Sequence, residues 1–320
     1  MTTILYGKPV VEEIERRITP EIAELKARYG ITPSLTVVQV GDDPASKRYV
    51  GRKIQSCEKL GMKAQHILLK EDVEAEALCQ EVARIGASND VHGLLVQLPL
   101  PRSIEEPDIS GGADPVDKFD ILDVIPPEKD VDGIASSSFG ELYRARTRRL
   151  RYLPSTALAV KRIIDYYRIE TRGKRAVVIG RNDITSKPIM LMLGGRMCDA
   201  EVTWIHRHVP REYQLDALER ADIVVTAVGR ADYRITREML KPGVVFIDVA
   251  TRVTETGKLV GDAEFDGVSP IASAITPVPG GVGPVTVAAL MENTVRAAWF
   301  AAGVGRLGYE FFPGPVTPSP

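Results

Sequence analysis

Short apolar runs alternate along this chain with segments of helical period, and that order restricts the fold more than any single motif does. Strands are expected at Leu35–Val40, Gly93–Leu98, Ala176–Ile179, Glu201–Ile205, Asp222–Val228 and Val244–Val249. Helical periodicity falls around them, at Val10–Tyr29, Ser46–Leu60, Ala75–Ser88, Ala157–Tyr167, Ser186–Leu193, Leu215–Arg220 and Val285–Ala301. Several strand runs are apolar at nearly every position, as required when helices cover both faces of a sheet. The pattern predicts an α/β protein with parallel sheets, and 320 residues suffice for roughly two domains. A stretch rich in Pro, Gly and Asp runs from Pro99 to Asp132, and a basic stretch follows from Arg144 to Arg151, so the domain boundary is expected near residue 150. The Pro-rich end, Phe312–Pro320, reads as a disordered tail.

Charge and cysteine usage exclude several classes. Lys and Arg total 41 against 43 Asp and Glu, a net charge of −2, which points to neither a nucleic-acid nor an anionic-membrane partner. No apolar run approaches a membrane span, the first residues lack an apolar signal core, and Glu12, Glu13 and Glu15 argue against a transit peptide. A cytoplasmic protein is expected. Cys57, Cys79 and Cys198 lie far apart with no paired histidines, so buried or half-buried thiols are expected rather than disulfides or a metal site.

Two segments of the second half suit a dinucleotide. In GKRAVVIGRNDITSKP a buried strand ends at Gly180 and turns into a helix, the place where a Rossmann-like domain receives its cofactor. The glycine spacing is not GxGxxG, since Asn182 and Ser186 occupy positions where further glycines would be expected. The next strand ends in His206-Arg207-His208 and carries no acid for the ribose hydroxyls of NAD. Arg207 is then either a 2′-phosphate contact, which selects NADP, or a solvated surface arginine. The second segment, Ile275–Thr286, sets Pro277, Pro279 and Pro284 among Gly280, Gly281 and Gly283 directly before a long helix. Residues that lock or free φ so densely form neither helix nor strand; they make a domain-joining turn or bring bare backbone to a ligand.

The first half carries side chains suited to proton transfer. On the helix that starts at Asp43-Pro44, Tyr49, Lys53 and Cys57 recur at every fourth position and share one stripe, with Val50, Ile54 and Gly61 on the neighbouring stripe toward the core. Lys53 at the rim of an apolar pocket either snorkels to water or, desolvated, exchanges protons near neutral pH. Gln97 lies at the end of a buried strand before Pro99, and in KDVDG both Asp130 and Asp132 read as turn formers, with Asp132 also suited to grip a polar heterocycle.

The ordered set SKRYVGRKIQSCEKLG, VQLPLP, KDVDG, GKRAVVIGR, ADIVVTAVGR and ITPVPGGVGPVT resembles the bifunctional methylenetetrahydrofolate dehydrogenase/cyclohydrolase family, from Leu5 to about Ala302. The resemblance implies a folate-binding catalytic domain at 1–148 completed by a returning helix at 284–304, a Rossmann-like NAD(P)-binding domain at 149–283, and a tail at 305–320. It implies that 5,10-methylenetetrahydrofolate is oxidised with NADP, with NAD as the alternative, and that the methenyl product is hydrolysed to 10-formyltetrahydrofolate. It also implies a homodimer and no metal. Carried over residue by residue, Lys53 is the catalytic lysine, Tyr49 lines the site, Gln97 tunes the lysine and Asp132 grips the pterin. Leu98, Pro99, Pro279 and Gly280 complete the folate contacts. Gly180, Arg181, Asn182, Ile184, Arg207, Ala227, Gly229, Pro279, Gly280, Gly281, Val282 and Thr286 form the cofactor wall.

The chain departs from the family pattern at Ser155 and Ala157, at Asn182, Thr185 and Ser186, at Ala250-Thr251-Arg252, and at Ser138. These positions gather on the cofactor side and at the junction, where Asn182, Thr185 and Ser186 are expected to add bulk toward the cofactor. Three rival readings remain open: a dehydrogenase acting on another pterin carrier or a small hydroxy acid, an enzyme that has lost one of the two activities, and a nucleotide-binding module without chemistry.

Overall fold

The computed structural model describes residues 2–105, 116–144, 150–305 and 308–309; the expected tail from Phe312 and part of the basic stretch lie outside them. The first half contains β1 (Thr3–Ile4), α1 (Gly7–Tyr29), β2 (Ser34–Val40), α2 (Pro44–Lys59), β3 (Lys63–Leu69), α3 (Ala75–Gly86) and β4 (Gly93–Val96). Three short helices follow: α4 (Arg102–Glu105), α5 (Lys118–Asp123) and α6 (Ser136–Tyr143). The second half contains α7 (Ser155–Tyr166), β5 (Arg175–Ile179), α8 (Ser186–Gly194), β6 (Glu201–Ile205), α9 (Arg211–Arg220), β7 (Ile223–Thr226) and β8 (Val245–Asp248). The chain finishes with β9 (Arg252–Val253), β10 (Leu259–Val260), α10 (Phe265–Val268), β11 (Ala274–Ile275) and α11 (Val282–Ala301).

The expected parallel α/β architecture is present as two sheets. A three-stranded parallel sheet has the order β3-β2-β4, and a six-stranded parallel sheet has the order β1-β11-β8-β7-β5-β6. Strand β2 is buried at all seven positions because it has a neighbour on each side and helices on both faces. Strand β3 is absent from the expectations. As an edge strand it is half exposed, so its sequence, KAQHILL, carries no uninterrupted apolar run. The two-residue strands β1 and β11 are too short for any periodicity, yet they tie the start of the chain to the segment before Pro277.

Helix α1 shows how burial fixes these elements. Val10, Ile14, Ile18, Ile22 and Leu25 recur at three- and four-residue spacing, and none is more than 3% exposed. Burying each such side chain contributes about 1.5–3 kcal/mol, and Ile18→Ala would cost about 2–5 kcal/mol. Gly30, in the left-handed region at φ 67°, closes the helix. At its other end Gly7 donates to the Gly280 carbonyl at 2.7 Å, so α1 begins three residues earlier than expected. Gly61 does not join the core stripe of α2. It is exposed at φ 68° and ends the helix, its N–H donating to Glu58 O at 2.9 Å.

Helix α11 packs along both α7 and α1 and so joins the end of the chain to the first half. Between α7 and α11, Arg162 is 1% exposed and paired with Glu292, a buried ion pair that costs more to break than it contributes when made.

Candidate active site

Helix α2 starts at Asp43, whose carboxylate accepts Ser46 N–H at 2.6 Å, with Pro44 in the first turn. Tyr49, Lys53 and Cys57 then descend from surface to core: Tyr49 is 37% exposed, Lys53 half-buried and Cys57 fully buried. Burial pushes the Cys57 thiol up to about 12, and it donates to the Met291 sulfur at 3.3 Å, so it is not a nucleophile. Lys53 Nζ donates to Gln97 Oε1 at 2.9 Å. Gln97 stands just past the end of β4, which stops at Val96, and its Nε2 donates to the Leu98 carbonyl at 2.6 Å. That second bond leaves Oε1 facing the lysine. Desolvation lowers the Lys53 pKa, and the nearby charge of Asp132 opposes the shift. Lys53 and Gln97, distant in sequence, therefore meet, with Asp132 within electrostatic reach of the lysine. Tyr49 lies one helical turn away, and its hydroxyl makes no hydrogen bond among the described residues. Leu98 is half-buried, and Pro99 after it is exposed.

The two aspartates of KDVDG play different parts. Asp130 is fully buried and accepts Ile134 N–H at 3.2 Å, Ala135 N–H at 3.0 Å and the Ser138 hydroxyl at 2.6 Å. It is the loop former. Asp132 is half-buried, and its carboxylate accepts no hydrogen bond among the described residues. Its backbone is held: Asp132 O accepts Ser155 N–H at 3.2 Å, and Asn293 Nδ2 donates to the carbonyls of Val131 at 2.7 Å and Leu153 at 3.0 Å. A Cβ at Gly133 would lie 2.9 Å from Pro154 N, so the loop and α7 meet backbone to backbone. Asn293 was missed in the sequence; the only signal was one amide inside the apolar pattern of α11.

The second region is built from backbone. Gly180 follows β5 at φ 122°, and a Cβ there would stand 2.5 Å from Ser186 Oγ and 3.0 Å from Ala227 O. Asn182 does not add bulk toward a ligand, because its Oδ1 accepts the N–H groups of Ile184 at 2.8 Å and Thr185 at 3.2 Å. Ser186 is fully buried, its Oγ without a hydrogen-bond partner among the described residues, and Thr185 is half-buried, so both side chains sit in the turn and one buried hydroxyl is left unsatisfied. Ile184 packs against the core cluster of the first half, as does Leu98. Ala227 and Gly229 follow β7, both half-buried, and Ala227 N–H donates to Ile179 O at 3.0 Å.

The Pro277–Gly283 segment is folded against the start of α1, where a Cβ at Gly7 would meet Gly281 O at 2.1 Å. Gly281 and Val282 are buried, Pro279 is exposed and Gly280 half-buried; Thr286 donates to Val282 O at 3.3 Å within its own helix. Arg181 and Arg207 are exposed. Arg207 Nε donates to His208 Nε2 at 3.1 Å, and desolvation and then the charges of Arg207 and Arg181 hold the His208 pKa low. Both guanidinium groups therefore share one patch. Bare backbone at Gly180 beside the start of α8, with that patch close by, suits an anionic dinucleotide.

Two family models match the chain: the catalytic domain of tetrahydrofolate dehydrogenase/cyclohydrolase over residues 5–132, and its NAD(P)-binding domain over residues 154–302. The bifunctional protein FolD of Brevibacillus brevis is 42% identical over 298 residues, covering 92% of this chain and 97% of its own. Among solved structures, the bifunctional FolD of Campylobacter jejuni superposes with a TM-score of 0.84 at 36% identity, over 93% of this chain and 99% of that one. The Trypanosoma brucei methylenetetrahydrofolate dehydrogenase-cyclohydrolase, solved with NADP cofactor and inhibitor, gives a TM-score of 0.82 at 35% identity, over 93% and 97% of the two chains. With a catalytic domain followed by an NAD(P)-binding domain, this chain belongs to the tetrahydrofolate dehydrogenase/cyclohydrolase family.

Proposed function

We propose that this protein oxidises 5,10-methylenetetrahydrofolate with NADP and hydrolyses the resulting methenyl compound to 10-formyltetrahydrofolate. The observation that carries the reading is the contact of Lys53 with Gln97, with the charge of Asp132 felt at the lysine. Asp132, with both oxygens free of hydrogen bonds from the described residues, receives a ring N–H and an exocyclic amine of the pterin. Tyr49 lies along the ring at the mouth of the site. Lys53, deprotonated more readily because it is desolvated, takes a proton from the attacking water and returns it as the ring opens. Gln97 holds the amine in place for both steps.

When bound, the nicotinamide cofactor accepts the hydride. Gly180, Ala227 and Gly229 offer it backbone, and Arg181 and Arg207 receive the 2′-phosphate. The folate side comprises 1–148 with the helix at 284–304, the cofactor side comprises 149–283, and the enzyme works as a cytoplasmic homodimer. No described helix is long and apolar enough to cross a membrane.

Mixing the protein with 5,10-methylenetetrahydrofolate and either nicotinamide cofactor tests the reading by absorbance. The methenyl compound should form faster with NADP and then be hydrolysed. Absence of folate-dependent hydride transfer with both cofactors would exclude the proposal.

A further inference from the structure

The cofactor side holds a buried acidic pair that the mechanism does not use. Asp248 ends β8 and Asp262 follows β10; they are 3% and 0% exposed. The two form a hierarchy. Asp248 Oδ1 accepts Ala250 N–H at 3.1 Å and Oδ2 accepts Ala263 N–H at 2.9 Å, so its carboxylate fixes the backbone on either side. Gly261 approaches so closely that a Cβ there would lie 2.2 Å from Asp248 Oδ2, which no side chain permits. Wrapped in this way, the segment Gly261–Ala263 presents Asp262 to the end of β7. Asp262 Oδ2 accepts the Thr226 hydroxyl at 2.5 Å and Val228 N–H at 2.9 Å, and Oδ1 accepts Gly229 N–H at 2.9 Å.

Those donors, one at the end of β7 and two in the loop after it, lie on the loop whose other face meets Gly180, where the Ala227 carbonyl lies 3.0 Å from a Cβ built on the glycine. A loop with two successive amides turned inward onto one carboxylate has a fixed carbonyl direction on its outer face. A carboxylate is acceptor-only, so it can satisfy all three donors at once, and an amide of the same size cannot.

We propose that Asp262 is a positioning residue for the nicotinamide cofactor, clamping Thr226, Val228 and Gly229 so that the loop after β7 is shaped to receive it before it binds. The inference rests on the functional reading above, and it adds a residue that touches neither substrate nor cofactor. In Asp262→Asn one amide N–H faces a backbone N–H, and the loop is released.

The test measures NADP binding by calorimetry, amide hydrogen exchange of residues 227–230 in the cofactor-free protein, and cyclohydrolase turnover, which takes no cofactor. Asp262→Asn should weaken NADP binding about tenfold, as loss of a charge-assisted clamp implies. Exchange at Val228 and Gly229 should accelerate, while kcat at saturating NADP and cyclohydrolase turnover should stay within about threefold. Unchanged NADP affinity would overturn the proposal. So would a parallel fall of NADP affinity and cyclohydrolase turnover, because Asp262 would then serve only the fold. If Asp262→Asn does not fold, Thr226→Val removes one donor and is read by the same measurements: a several-fold loss of NADP affinity supports the clamp, and unchanged affinity refutes it. A parent protein without either folate activity would sink the functional reading alone, leaving the titration and exchange to judge Asp262.

Discussion

The two regions proposed to hold folate and nucleotide are made of different material. On the proposed folate side the groups offered are side chains, Lys53 bonded to Gln97 and within electrostatic reach of Asp132, drawn from a helix, a strand end and a loop. On the nucleotide side the chain offers backbone, bare at Gly180 and held from behind by Asp262, with charge supplied by exposed arginines at the edge. A site made of side chains fails when one functional group is removed. A site made of backbone tolerates changed side chains wherever the turn can absorb them, as it absorbs Asn182.

The comparison is best broken at Lys53. Lys53→Met keeps the length of the side chain and removes its proton, and cyclohydrolase turnover should fall by about two orders of magnitude or more, with a smaller loss in hydride transfer. A normal hydrolysis rate in that variant would make Lys53 a snorkelling surface lysine.

Asp132→Ala comes next. Folate affinity measured by titration should drop by about 1.5–3 kcal/mol, the usual effect of removing a charge-assisted hydrogen-bond partner. NADP affinity should hold, and equal folate affinity in variant and parent would return Asp132 to the class of turn formers.

On the other side, Arg207→Ala should reduce the preference for NADP several-fold and leave NAD kinetics nearly unchanged. Loss of both cofactors alike would mean that the arginine does not read the 2′-phosphate.

The smallest expected effect is a shift of a pH profile. Burial lowers the Lys53 pKa, so cyclohydrolase turnover should rise with pH and level off below the range of an ordinary lysine. The Asp132 carboxylate opposes that shift by favouring the ammonium form. In Asp132→Asn the inflection should therefore move to lower pH. An inflection that moves upward, or stays, would show that the two groups are not coupled.

Much of this arrangement was legible before the fold was known, and the reasons differ by residue. Lys53 and Tyr49 were readable because helical spacing puts them on one stripe with Cys57, a purely local relation. Strand β2 was readable because burial on both faces favours apolar residues, here Leu35, Val37, Val38 and Val40, with Ser34, Thr36 and Gln39 the polar exceptions. Strand β3 was not, because an edge strand has no such demand placed on it. The sequence singled out Asp132 as the ligand-gripping aspartate through the family resemblance; local chemistry left that role and the turn-forming one open, and the fold made Asp130 the loop former by closing Ser138 and two amides around it.

The sequence by itself determined the alternation of strand and helix, the parallel class of the two main sheets, and the chemical kinds of group available in each region. These follow from periodicity and side-chain chemistry, which act over a few residues. Only the tertiary structure decided which groups meet. Gln97 faces Lys53 because its amide is fixed by Leu98, Asn293 reaches the Asp132 loop from the far end of the chain, and the Asn182 side chain turns back on its own backbone. Such contacts depend on burial and hydrogen-bond satisfaction summed over the whole fold, and spacing along the chain carries no record of them.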